Sequence, residues 1–307
     1  MILGYAPQYT VMLAPLAVLP LGIAEVVTRL LALVLIAAIV AAWARGPDGE
    51  VPTWALVFLV SLPVVSLLRL DQMMSVVGLA ALTVAIWAQR RDRWLVVGLA
   101  LAVGLSRTTN ALPVLVMVVI SAWGRPAQLL RAVAGIAMVI APLTVMAYVW
   151  DPNWVADYLH NLSVYNLVGP VKLARALMGF SGPFLLEAVV CALAGLLAWR
   201  DRGRALDLDR AALALSLGVL STIISTYYVA IYAMPALIRL AWRRGFRGLP
   251  WVVTAAPWVV ILISAPVVLS SAPIFPPGLL TGMVLVMVAA AYPLFRSARP
   301  VAATLTG

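Results

Sequence analysis

Apolar runs close to 20 residues recur from one end of this chain to the other, and that recurrence limits its fold more than any single motif does. A helix needs about 20 predominantly apolar residues to cross the hydrocarbon of a bilayer. Soluble domains keep roughly a quarter of their residues charged; here only 10% are charged and 64% are hydrophobic. The alternating short segments of an outer-membrane barrel are absent. The class is therefore all-α, a polytopic transmembrane helical bundle. Spans are expected at about 22–44, 53–69, 73–89, 94–105, 111–124, 131–149, 181–199, 209–227, 228–241, 250–270 and 276–294, about 11 in all, behind a shorter apolar piece at 9–20. No repeat of fixed period interrupts them, so residues 1–307 read as a single transmembrane domain.

The formal charge of +10 does not mark a nucleic-acid binder, because the basic residues sit in short loops between apolar runs. Those loops carry Arg90, Arg91 and Arg93; Arg125 and Arg131; Arg200, Arg202, Arg204 and Arg210; Arg243, Arg244 and Arg247; and Arg296 and Arg299. Alternating the spans puts every cluster on one side, which the positive-inside rule makes cytoplasmic. The protein is then expected in the plasma membrane, with its N-terminus outside and its C-terminus inside. The opposite face collects Tyr5 to Tyr9, the turn Arg69-Asp71-Gln72, the break "SRTTN" at 106–110, the segment 150–180, and Tyr227 and Tyr228.

Residues 94–105 would make a helix of only about 18 Å at 1.5 Å per residue, too short for a core of about 30 Å. "SRTTN" is therefore expected between two half-helices, sunk below the outer surface, where irregular backbone survives only in protein or beside a wet cavity. Asn110 or Thr109 would cap the second half-helix. A helix N-terminus beside Arg107 is a recipe for an anion site, phosphate above all. The segment 150–180 brings Asp151, Asp157 and His160, then from Val171 a short basic amphipathic helix on the outer leaflet. His160 is the only histidine and Cys191 the only cysteine, so no multi-His metal site and no internal disulfide is expected. Cys191 reads as a packed small hydrophobe. Glu25 and Arg29, four apart, should pair between packed helices, and Glu187, inside its span, needs a partner or a proton.

Several stretches resemble one family. "YAPQYTVMLAPLAVLPLGIAE" is similar to the Tyr/Pro-rich opening of the GT-C membrane glycosyltransferases, in particular glycosyltransferase family 87, which uses polyprenyl-phosphate mannose. "LDQMMSVVGLAAL" resembles that family's "GQ-N-LL" segment, with Asp71 where Gly is usual. "GLSRTTNALPVLVMVV" resembles its "K-P-x-x-LL" segment, with Arg107 at the usual Lys. The resemblance covers roughly residues 5–125; beyond it only helix spacing and "STYYVAIYAMP" are similar. Family members carry a further helix and an outer loop with the catalytic acidic residue ahead of the position of Tyr5. This chain starts at that position, which leaves three readings: an upstream start, another carboxylate in that role, or a protein that is no transferase.

The resemblance implies an enzyme moving a mannose-like sugar from a polyprenyl-phosphate donor to a lipid or glycan hydroxyl on the extracytoplasmic face. Such chemistry needs a base for the acceptor hydroxyl and cations for the leaving phosphate. Asp71 is the expected base, with Asp151 next. Arg107 is expected on the phosphate with Arg69 assisting, and Gln72, Asn110, Tyr9 and His160 complete the substrate-facing set. No cofactor is implied beyond the donor itself, and a divalent metal is left open. Partners are then membrane lipids and the lipid-linked sugar. Two other readings stand beside it: a non-catalytic subunit among other membrane subunits, and a lipid flippase or transporter using the broken helix. The arginine pattern yields a direct test. In intact cells an impermeant thiol reagent should label Asn153→Cys and leave Asp207→Cys unlabelled; the reverse pattern would invert the topology.

Overall fold

The structure, a computed structural model, describes residues 14–16, 18–46, 49–69, 72–157, 169–221, 231–244, 251 and 254–255. The described residues form helices and turns with no strand. The helices are α1 (Leu21–Ala44), α2 (Leu62–Arg69), α3 (Met73–Arg90), α4 (Trp94–Gly104), α5 (Thr108–Ser121), α6 (Pro126–Trp150), α7 (Gly169–Met178), α8 (Gly182–Ala198), α9 (Leu208–Leu217) and α10 (Met234–Arg244). Five helical stretches among them are long and apolar enough to cross a membrane: Leu21–Ala44, Met73–Arg90, Trp94–Ser121, Pro126–Trp150 and Gly182–Asp201. The expected spans 250–270 and 276–294 lie almost wholly outside the described residues.

The stretch Trp94–Ser121 does not run straight. A continuous helix of 28 residues would separate its ends by about 42 Å. Instead the ends meet: Gln89, just before it, donates to the Ser121 hydroxyl at 3.1 Å, and Gln128, just after it, donates to the Asp92 carboxylate at 2.8 Å. A 3₁₀ turn, Leu105–Arg107, reverses the chain between α4 and α5. The segment is thus a hairpin of two short helices, as the shortness of 94–105 requires.

The hairpin is held against α6 by an absence of side chains. A Cβ on Gly98 would overlap the Ala132 carbonyl and stand 2.9 Å from the Gly135 Cα; one on Gly135 would lie 2.8 Å from the Leu99 nitrogen. Small residues let helix backbones approach closely where apolar lipid gives no reason for large side chains to associate. Since α4 and α6 rise from the same end and touch at Gly98 and Gly135, Arg107 at the hairpin apex stands about six residues short of the top of α6. That is a depth of roughly 9 Å.

The expected span 53–69 divides. A 3₁₀ helix, Thr53–Val60, stops at Ser61, whose extended backbone (φ −68°, ψ 150°) precedes α2. Pro63 is the reason: it has no amide to continue a ladder and its ring crowds the preceding turn, so the helix restarts with proline in its first turn. The amphipathic helix expected from Val171 is α7, which buries Val171 and Ala174 and exposes Leu173 and Leu177.

Among the described residues the arginine loops near 90–93, 125–128 and 200–210 share one end, and there they do more than mark sidedness. Buried Gln89 donates to the Arg204 carbonyl at 2.9 Å and accepts from the Leu206 amide at 2.9 Å. Arg90 donates to the Leu206 carbonyl at 2.5 Å, Arg210 pairs with Asp201 at 2.5 Å, and Arg239 pairs with buried Asp209 at 2.7 Å. Asp207 caps α9 by accepting from the amides of Asp209 and Arg210.

The Gly98 contact has a measurable consequence. Gly98→Ala should cost about 2–3 kcal/mol through overpacking against backbone, lowering the apparent melting temperature in detergent by roughly 5 °C. Gly22→Ala, where nothing lies within 4 Å of the added methyl, should leave it unchanged or slightly raised. Equal melting temperatures for the two variants would refute the close α4–α6 approach.

Candidate functional site

The hairpin apex delivers one cation into the bundle. Arg107 has non-helical backbone (φ −119°, ψ 73°) and immediately precedes α5. Its side chain is buried, at 7% exposure. Its Nη2 donates to the Ser75 hydroxyl at 2.6 Å and to the Gln72 Oε1 at 3.2 Å. Both acceptors stand in or beside the first turn of α3, which descends from this level to Gln89 at the arginine-rich end. Gly78, one turn further down α3, makes room: a Cβ there would lie 2.7 Å from the Tyr232 hydroxyl and 3.4 Å from the Arg107 Cγ. Buried Tyr232 donates to the Ser75 carbonyl at 3.0 Å.

Asn110 lies one turn beyond Arg107 and is 1% exposed. Among the described residues neither its amide oxygen nor its amide nitrogen has a hydrogen-bond partner. A buried polar group left unpaired costs about 1–3 kcal/mol, so the position favours any polar group that reaches it. Close packing keeps it there: a Cβ on Gly218 would lie 2.9 Å from the Asn110 Cα and 3.2 Å from the Thr109 carbonyl oxygen. The expectation that Asn110 or Thr109 caps α5 is corrected. The helix begins at Thr108, no side chain caps it, and Asn110 belongs to its first turn. The Thr108 hydroxyl bonds back to the Leu105 carbonyl at 3.0 Å instead.

The apex therefore joins a buried guanidinium, the opening amides of a helix, and an unpaired carboxamide. Guanidinium and helix N-terminus both favour anions, and the carboxamide can donate or accept. Chemically this suits an oxyanion carried to that depth on a longer molecule.

Of the other expected site residues, Arg69 ends α2 and is exposed. Asp151 follows α6, is exposed, and accepts from the Asn153 amide at 3.0 Å in a local turn. Asp71, Tyr9 and His160 lie outside the described residues, as do Tyr5, Tyr227 and Tyr228. Glu25 and Arg29 pair at 3.5 Å, but each side chain is more than two-fifths exposed, so the pair lies on the surface of α1 rather than between packed helices. Glu187 accepts from the Cys191 thiol at 3.6 Å. Cys191 is thus a donor to a carboxylate as well as a packed side chain.

Ser75 and Tyr232 are the contributors that reading the sequence passed over. Ser75 stands three residues after Gln72, so both face the same side of the α3 entrance, a signal present in "LDQMMS". Tyr232 is separated from Ser75 by 157 positions, and no local pattern links them.

Comparison with known proteins bears on this apex. The family model described as glycosyltransferase family 87 matches residues 3–226, a stretch containing Gln72, Ser75, Arg107, Asn110 and Gly218. No curated protein and no solved structure matches the chain. The matched region reaches from ahead of α1 to beyond α9, and across it this chain is a membrane glycosyltransferase in sequence: it belongs to glycosyltransferase family 87.

Proposed function

We propose that the sugar donor is a polyprenyl-phosphate sugar, mannose-like, and that Arg107 holds its phosphate while an acceptor hydroxyl on a lipid or glycan is glycosylated at the extracytoplasmic face. The observation that supports this is the presence at the hairpin apex of buried Arg107, one turn from the unpaired amide of buried Asn110. The acceptor oxygen attacks the anomeric carbon, the bond from that carbon to the phosphate oxygen breaks, and the phosphate leaves with the bonding electrons. Arg107 meets the charge that grows on it, in a setting where water screens little. Ser75 and Gln72 fix the guanidinium in place, so little reorganisation is needed as the bond breaks. The hydroxyl proton passes to a carboxylate; Asp71, next in the chain to Gln72, is the first choice and Asp151 the second.

The depth of the apex fits a donor whose phosphate is carried on a membrane-embedded chain. By the positive-inside rule the arginine-rich loops at the other end support a cytoplasmic hairpin base, and on this reading the apex opens towards the outer leaflet of the plasma membrane.

Transfer from a polyprenyl-phosphate sugar, measured with purified protein in proteoliposomes, tests the assignment. Arg107→Ala should lower turnover at least about 100-fold, because a charged hydrogen-bonding partner of the leaving group is lost. Arg107→Lys should keep roughly a tenth, since an ammonium retains the charge but not the planar fork. Asn110→Ala should raise the donor KM about tenfold and change kcat less. Full turnover by a correctly inserted Arg107→Ala protein would overturn the phosphate role.

A further inference from the structure

At the arginine-rich end, α1, α3 and the start of α4 enclose a cavity of about 380 Å³ lined by Arg45, Arg91, Arg93 and Trp87, with half-exposed Val84 and Val96 in its wall. The other cations nearby are spent on the scaffold, Arg90 on the Leu206 carbonyl, Arg210 on Asp201 and Arg239 on Asp209. Arg45, Arg91 and Arg93 are not: among the described residues none of them has a carboxylate partner, and no carboxylate lines the cavity. The Arg91 guanidinium is held over the Trp87 ring at 5.9 Å. The Trp87 indole N–H is buried and has no hydrogen-bond partner, although a buried indole N–H normally finds one. Its neighbour Thr83 is already engaged, accepting from Trp43 at 3.0 Å and donating to the Leu79 carbonyl at 2.8 Å.

From these features we infer a second binding site: this cavity holds the phosphate headgroup of an anionic phospholipid. Its lining brings together three guanidiniums and the Trp87 indole with no carboxylate, and the one hydroxyl there, on Thr83, is already engaged. A phosphodiester oxygen is an acceptor that satisfies them together. The lipid, rather than free phosphate, follows from the wall. Val84 is 48% exposed and Val96 38% exposed, and an acyl chain covers them as it runs along α3 and α4. Basic pockets between helices at a cytoplasmic boundary are suited to such headgroups. The site lies at the base of the hairpin, so it is separate from the apex and does not depend on what the apex binds.

Native mass spectrometry of the full chain released from nanodiscs of equal phosphatidylglycerol and phosphatidylcholine tests the inference. The wild type should retain phosphatidylglycerol over phosphatidylcholine by at least about tenfold, at about fivefold per arginine near the surface. The variant Arg45→Gln/Arg91→Gln/Arg93→Gln should bring that ratio close to one. Trp87→Phe removes the N–H and shrinks the ring under Arg91 while keeping an aromatic side chain, and should weaken retention about threefold to fivefold; it decides the matter if the triple variant does not fold. Equal retention of both lipids by the wild type, or an unchanged ratio in a folded triple variant, overturns the inference. So does Trp87→Phe with wild-type retention where the triple variant cannot be made. Displacement of the lipid by millimolar inorganic phosphate identifies a free-anion site and overturns the assignment to a lipid.

Discussion

The structure turns on one buried side-chain amide. Gln89, at the foot of α3, donates to the Ser121 hydroxyl at the foot of α5 and to the Arg204 carbonyl, and accepts from the Leu206 amide. Three stretches distant in sequence are fixed at a common level by a group with few alternatives, because a buried carboxamide deprived of partners would cost several hydrogen bonds at once. From that level the lengths of the helices do the rest. α3 rises to Ser75 in about 21 Å and α4 rises to Arg107 in about 20 Å, so the cation and its acceptor arrive at the same height without any contact having to pull them there.

Glycines then set how closely the parts approach. Gly98 and Gly135 bring α4 against α6, Gly218 brings the end of α9 against Asn110, and Gly78 leaves the space that Tyr232 fills. Each is a place where backbone or a functional group takes the room of a side chain. The same device that packs the bundle therefore shapes the surroundings of Arg107, and a substitution at Gly78 would act on both.

Much of this was legible in the sequence, for reasons that can be stated. The hairpin was readable because twelve apolar residues cannot span a bilayer, and the shared end was readable because arginines follow sidedness. Arg107 stood out as a cation between apolar halves. The exact turn was less legible: polar Ser106, Thr108 and Asn110 suggested a broader break than the three residues Leu105–Arg107 that form it. The division of 53–69 was written in Pro63 but outweighed by continuous hydropathy. What could not be read were long-range pairings. Gln89 meets Ser121 and Arg204 across 32 and 115 positions, and Tyr232 meets Ser75 across 157. The arginines at the base looked alike in sequence, and only their geometry separates those bonded to the scaffold from those that face a cavity.

The reversal at Arg107 also governs the handedness of everything downstream with respect to the bilayer. Straightened, Trp94–Ser121 would be about 42 Å long, enough to cross with some tilt. It would then count as one crossing rather than none, and α6 and every later element would exchange sides. One residue with helix-breaking dihedrals, together with the ties between Asp92 and Gln128 and between Gln89 and Ser121, keeps the crossing number even. The position that carries the buried charge is therefore also the parity switch of the chain, and a charge that resists passage to the far leaflet is well placed to keep the switch from turning.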